Sequence, residues 1–250
     1  MLSSFELFPI AVAALTFLLA GFVKGAIGLG LPTVAMGLLS IVMPPAQAAS
    51  LLIVPSFVTN VWQLASGPRF APLAHRLWPM MVGVVVGTLA GAGFMQGSHA
   101  GQAAIALGVA LMAYAVLGLT ALRFVVPPRA EWWLGPVIGA MTGLVTAATG
   151  VFVIPAVPYL GSLGLTKDEL IQALGLSFTV STVALAGALA GGGSFDAGTA
   201  SASALALAPA LIGMAAGGWV RGRVSEPMFR RCFFLGLLAL GAHLASRAVI

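Results

Sequence analysis

Lys24 is the residue whose type and place in this sequence point most directly to chemistry. It stands in the run Gly21-Phe-Val-Lys24-Gly25-Ala-Ile-Gly28-Leu-Gly30-Leu-Pro32, inside a long apolar stretch. An ammonium deep in a bilayer costs about 2.5–3.5 kcal/mol on insertion scales, so such a group faces a polar cavity or partner, or snorkels to the interface. Two readings follow: an attractor for an anionic substrate, or a topology anchor. Gly28 and Gly30 permit close backbone approach, and Thr33 comes directly after Pro32. A second run, Gly143-Leu-Val-Thr146-Ala-Ala-Thr149-Gly150-Val-Phe-Val-Ile-Pro155, lies over the first without a gap. The overlay pairs Gly28 with Gly150 and Lys24 with Thr146, so an anion site here is charged on one side only.

Further along, Gln47 falls on Gln172 and Ser56 on Ser181 after a three-residue shift, and Gly87 and Gly91 fall on Gly213 and Gly217 after one more. Each glutamine can donate to a substrate oxygen or cap its helix. Ser177, Thr179, Ser181 and Thr182, with Ser50, Ser56, Thr59 and Asn60 opposite, can line a path or bond their own backbone. Other chemistries lack their parts. There is one cysteine, Cys232, so no intramolecular disulfide or cysteine-rich metal site forms. His75, His99 and His243 are scattered, and neither a G-x-S-x-G elbow with a histidine nor a nucleotide-binding G-x4-G-K-[ST] run is present. No cofactor or metal is expected, and enzymatic activity is not expected.

The elements that must position these residues are membrane helices. Sixty per cent of the 250 residues are hydrophobic and 7% are charged, against about 25% charged in a soluble domain. That composition excludes a soluble enzyme, a disordered tail and a nucleic-acid-binding module. The net charge of +5 reads as loop orientation, not as affinity for nucleic acid. Continuous Ala-, Leu- and Gly-rich runs without alternation also exclude an outer-membrane barrel.

Apolar runs broken by charge, Pro or Gly cover 7–42, 47–66, 77–95, 101–121, 133–165, 170–190, 199–219 and 229–248. The stretches 7–42 and 133–165 reach only about 50 Å, too long for one crossing and short of two. Each is therefore predicted to be a broken helix. The expected fold is all-α and polytopic: two repeats of four to five helical segments, each opened by a Gly-rich broken helix, with residues 1–124 and 125–250 as the halves of one membrane domain. Eight of the eleven Lys and Arg residues lie in three loops: Arg69 and Arg76; Arg123 and Arg129; Arg221, Arg223, Arg230 and Arg231. The positive-inside rule places all three in the cytoplasm. This requires 133–165 to cross twice or not at all, as a hairpin of two short helices or a re-entrant loop, and makes the repeats inverted, with both termini outside the cytoplasm. Trp78, Trp132, Trp133 and Trp219 are expected as interfacial anchors.

The two glycine runs leading to Pro32 and Pro155 resemble those of the TauE/SafE family over nearly the whole chain. That resemblance implies a multi-pass transporter of the cytoplasmic (inner) membrane, linked to sulfite, organosulfonates or related small anions. Broken helices in inverted repeats are where secondary transporters bind substrate, so alternating access is the expected mechanism, with a passive anion channel or an intramembrane enzyme as alternatives. The expected partners are a small anionic substrate and the lipid bilayer; a coupling ion (proton or sodium) and a homo-oligomer are left open. The expected substrate-binding residues are Lys24, Gly28, Gly30, Thr33, Gln47, Thr146, Thr149, Gly150, Gln172, Ser177 and Ser181.

Overall fold

The computed structural model describes residues 4–96, 99–120, 125–221, 223 and 225–247. Arg123 and the boundary drawn at 124 fall outside them. The described residues contain helices and no strands. The first half gives α1 (Ser4–Ile27), α2 (Leu31–Leu39), α3 (Pro45–Ala65), α4 (Phe70–Ala90) and α5 (Ala100–Thr120). The second gives α6 (Pro128–Thr149), α7 (Ala156–Gly161), α8 (Lys167–Gly191), α9 (Ala197–Arg221) and α10 (Glu226–Arg247). Seven of the described helices are long and apolar enough to cross a membrane: α1, α3, α4, α5, α8, α9 and α10. The protein is a polytopic membrane protein. Helix α6 matches these in length, at 22 residues, but carries Arg129, Glu131 and three threonines.

Both long stretches are broken, as their length predicts, but the pieces are unequal. Helix α1 runs 24 residues to Ile27 and α2 only 9; α6 runs 22 to Thr149 and α7 only 6. The expected hairpin of two short helices is therefore one full-length helix followed by a short returning one. The reason lies at the break itself, where Gly28 and Gly150 take positive φ (79° and 70°), a conformation that ends a helix and suits glycine. Each glycine N–H still reaches back four residues, Gly28 to the Lys24 carbonyl and Gly150 to the Thr146 carbonyl, both at 2.8 Å. Helix α4 begins earlier than the apolar pattern suggests, and its second turn carries Arg76, which forms a two-pronged ion pair with Glu131 of α6 at 2.6 and 2.8 Å. Helix α8 starts with a capping box in which Thr166 and Glu169 satisfy each other's backbone N–H groups.

Helix directions follow from residue pairing. In α1 and α9, Gly21 lies against Ala210 and Gly25 against Met214, so the two run parallel; α4 and α6 do the same through Gly83 with Pro136 and Gly87 with Ala140. Helices α3 and α8 run antiparallel, with Ser56 meeting Thr182 and Gln63 meeting Ile171. So do α5 and α10, with Gly108 against Gly241 and Gly118 against Phe234. At Gly21, Gly87, Gly143 and Gly213 a neighbouring helix's carbonyl occupies the place a Cβ would take. These contacts are the close backbone packing that small residues allow in membrane bundles.

The ends of the bundle differ. Arg69 and Glu169 pair at 3.5 Å, Arg76 reaches Glu131 and the Leu163 carbonyl, and Arg221 reaches the Ala26 carbonyl. These contacts gather the arginine-bearing turns at one end, called here the basic end. At the other end Ser50 donates to the Ser194 carbonyl, and Asp196 starts α9 by accepting from the Thr199 N–H and hydroxyl. Trp78, Trp132, Trp133 and Trp219 are all exposed on the bundle surface.

Candidate functional site

Lys24 lies in the last turn of α1, 5% exposed. Its ammonium donates to Thr59 Oγ1 at 3.0 Å and to Asn60 Oδ1, both near the end of α3. Thr59 can accept because its own proton goes to the Pro55 carbonyl at 2.7 Å. Asn60 Nδ2 donates onward to Ser56 Oγ at 3.0 Å and towards Thr182 Oγ1 on α8 at 3.4 Å. A buried polar relay thus joins α1, α3 and α8. Two of the three ammonium protons are accounted for. Among the described residues no carboxylate pairs with Lys24; both ion pairs there involve arginines. A buried cation held only by neutral oxygens is incompletely compensated, since burying a charge is costly unless an opposite charge or several strong hydrogen bonds offset it. The arrangement suits a small anion.

Helix α3 can present this relay because its proline is accommodated. Pro55 has no N–H, which leaves the Leu51 carbonyl without its helical donor; Ser203 of α9 donates to it at 2.8 Å and accepts from the Val54 N–H at 3.0 Å. On α8, Ser177 and Ser181 stand one turn apart, fully buried, with no hydrogen-bond partner among the described residues. A buried hydroxyl left unpaired costs about 1–3 kcal/mol, and serines in helices ordinarily bond the preceding turn's carbonyl. These two hydroxyls lie on the same stretch of α8 as Thr182, the relay's contact on that helix.

The profile of the family described as sulfite exporter TauE/SafE matches residues 13–244. The chain belongs to this family. Membership makes it a membrane transporter of the sulfur-anion exporter type. No curated protein and no solved structure matches the chain.

Within this family member the remaining expected site residues separate by location. Gly28 and Gly30 form the first break, but a Cβ at Gly30 would meet Val23 and Phe233, so the start of α2 is packed against apolar side chains. Thr33 donates to the Gly30 carbonyl at 2.9 Å, stiffening that turn. Thr146 and Thr149 donate to Thr142 and Val145 carbonyls at 2.7 and 2.6 Å, and Thr149 accepts from the Val151 N–H at 3.1 Å. Gly150 abuts the Met36 thioether of α2, so the two broken segments touch in the bundle centre. Gln172 is buried and clamps the α3–α4 turn, donating to the Leu64 and Gly67 carbonyls and accepting from the Arg69 N–H; the cap of its own helix is Thr166. Gln47 is exposed at the start of α3, at the opposite end. The structure therefore places Lys24 in the relay, leaves Ser181 outside it as the chain neighbour of Thr182, and sets the two glutamines apart.

In the sequence Thr59 and Asn60 stand out only as polar residues able to line a path. Their spacing from Lys24 carries no signal until α3 is laid beside α1. Arg221 carries only a loop-charge signal in the sequence, yet its Nε–H donates to the Ala26 carbonyl at 2.9 Å beside the first break.

Proposed function

We propose that the chain carries a small sulfur-containing anion across the inner (cytoplasmic) membrane by alternating access, with Lys24 as the charge that holds it. The observation that carries this reading is the buried Lys24 ammonium whose described partners, Thr59 and Asn60, are neutral. An anion entering between α1, α3 and α8 supplies the missing counter-charge, and the unpartnered hydroxyls of Ser177 and Ser181 offer donors beside it. Residues 1–124 and 125–250 act as inverted copies. In support, the helix pairs α3/α8 and α5/α10, which correspond in the sequence overlay, run antiparallel. The gathering of the arginines at one end supports a cytoplasmic location for that end.

Uptake into proteoliposomes tests the reading. With purified protein, sulfite and a small alkylsulfonate should accumulate against an imposed gradient, and a neutral sulfone of similar size should not. Lys24→Gln should reduce anion flux by about tenfold or more, since a hydrogen bond to a charged group is worth about 1.5–3 kcal/mol. Equal flux through wild type and Lys24→Gln would remove Lys24 from the mechanism. Flux that never exceeds the level set by the anion's own gradient would replace alternating access with a passive channel.

A further inference from the structure

The arginines of the basic end divide into two kinds. Arg69 pairs with Glu169 and Arg76 with Glu131. Residues 221–231, the turn from α9 into α10, hold four more: Arg221, Arg223, Arg230 and Arg231. All four are exposed, and the ion pairs among the described residues include none of them. With Glu226 as its one acidic residue, this stretch carries a net charge of +3, four arginines less one glutamate. Like charges held this close repel one another, and an anion shared between them relieves the repulsion. The corresponding stretch of the first half, 95–105, has no arginine or lysine, so the feature belongs to one end of the bundle only.

Within this turn Arg223 is held in a fixed plane. Its Nη1 donates to the Trp219 carbonyl at 2.7 Å, and its guanidinium lies 3.7 Å from the centre of the Trp219 ring. A guanidinium has five N–H donors in a rigid fork; one is used here, and the stacked ring orients the rest before any ligand arrives. The turn also stands at the edge of the bundle. Helices α9 and α10 are the least buried of the seven candidate spans, with 28% and 22% of their apolar stretches buried against 33% or more in the others. Trp219 and Met228, on either side of the turn, are 66% and 60% exposed, and indole rings at span ends settle at the level of lipid headgroups.

We propose that the α9–α10 turn is a binding site for a phospholipid with an anionic headgroup, taken at its phosphate by Arg223 with Arg230 and Arg231, its chains lying against α9 and α10. The inference does not depend on what the chain transports. A soluble anion answers the charge but leaves Trp219 and Met228 uncovered; a lipid answers both. Each arginine near an anionic membrane surface strengthens attachment by about fivefold, and several sharing one headgroup make it selective over a zwitterionic lipid.

Native mass spectrometry of the full chain in detergent, given equal amounts of phosphatidylglycerol and phosphatidylcholine, reads retained lipid and oligomeric state together. Wild type should keep the anionic lipid in preference by about tenfold or more, and Arg223→Gln or Arg231→Gln should each cut that preference about fivefold. Arg129→Gln removes an exposed arginine of α6 that has no ion pair among the described residues, and should change it by less than about twofold. Trp219→Leu keeps every charge but removes the ring beneath Arg223, and should cut the preference about two- to threefold; general attraction to a basic surface would not respond to it. Equal retention of both lipids by wild type, or losses from Arg129→Gln as large as those from Arg223→Gln, would overturn the site. So would displacement of the lipid by an equal concentration of glycerol 3-phosphate, which has the phosphate and no chains. A lipid-free dimer that Arg223→Gln dissociates would give this face to a second copy and equally overturn the proposal. Should Arg223→Gln not fold, Arg223→Lys, which keeps the charge but not the stacked plane, should reproduce the Trp219→Leu loss.

Discussion

The two helix breaks share a backbone and differ in chemistry. Each ends a full-length helix at a glycine with positive φ, each glycine N–H returns to the residue four before it at 2.8 Å, and each is followed by a short returning helix. Around the first break stand Lys24, Asn60 and Arg221; at the corresponding places around the second stand Thr146, Leu185 and Met95. The first break resumes as a helix at Leu31, whereas the second runs on through Val151, Phe152 and Val153, all buried, with Phe152 packed on Phe178 at 5.2 Å. The difference teaches that architecture and charge are separable here. Glycine placement sets the break, and polar side chains at one copy only make a site with a preferred end.

Three experiments break or sharpen that comparison. The largest effect is expected where the halves are most alike, in the parallel helix pairs. Gly21→Val and Gly143→Val each place a side chain where a carbonyl already stands, that of Ala210 or Val84. Overpacking costs about 1–3 kcal/mol, and a rigid backbone neighbour favours the upper end. Both should lower the Tm of the solubilised protein by similar amounts; a loss confined to one would show that the halves are not equivalent scaffolds.

Next come the unlike residues at the breaks. Lys24→Gln should reduce anion flux about tenfold, and Thr146→Val, which removes only a hydroxyl bonded to the Thr142 carbonyl, should change it by less than about twofold. Equal losses would mean that charge asymmetry does not matter.

The smallest effect concerns the helix start at the end opposite the arginines. The Thr199 N–H, and then its hydroxyl, hold the Asp196 carboxyl below the ordinary carboxylate range. A carboxylate favoured in the folded state contributes stability that is complete above its unfolded pKa near 4 and is lost as pH falls through the lower folded value. The Tm difference between wild type and Asp196→Asn should therefore shrink between pH 7 and pH 3. A difference independent of pH would show that the amide caps α9 equally well.

Much of the fold was legible in the sequence because bilayer crossing imposes a length and a composition. The apolar runs, the two breaks and the glycine register could be read because each depends on local chain properties. The boundaries that moved have tertiary causes. Helix α4 extends back to Phe70 through turns that hydropathy alone does not mark and whose Arg76 meets Glu131 of α6, and α6 stays whole to Thr149 because the break falls only where Gly150 takes positive φ. In the site, Lys24 stood out by itself, since a lysine in an apolar run is costly wherever it lies.

What the sequence alone determined, then, is a membrane bundle with two glycine-broken segments and one unusual cation, all consequences of hydropathy and backbone freedom. Only the tertiary structure decided what that cation touches. Asn60 and Thr59 lie 36 and 35 residues from Lys24 along the chain, and Arg221 meets Ala26 across 195. Hydrogen bonds at such separations depend on which helices pack and in which direction. That is fixed by glycine-on-carbonyl contacts between helices, which no local pattern records.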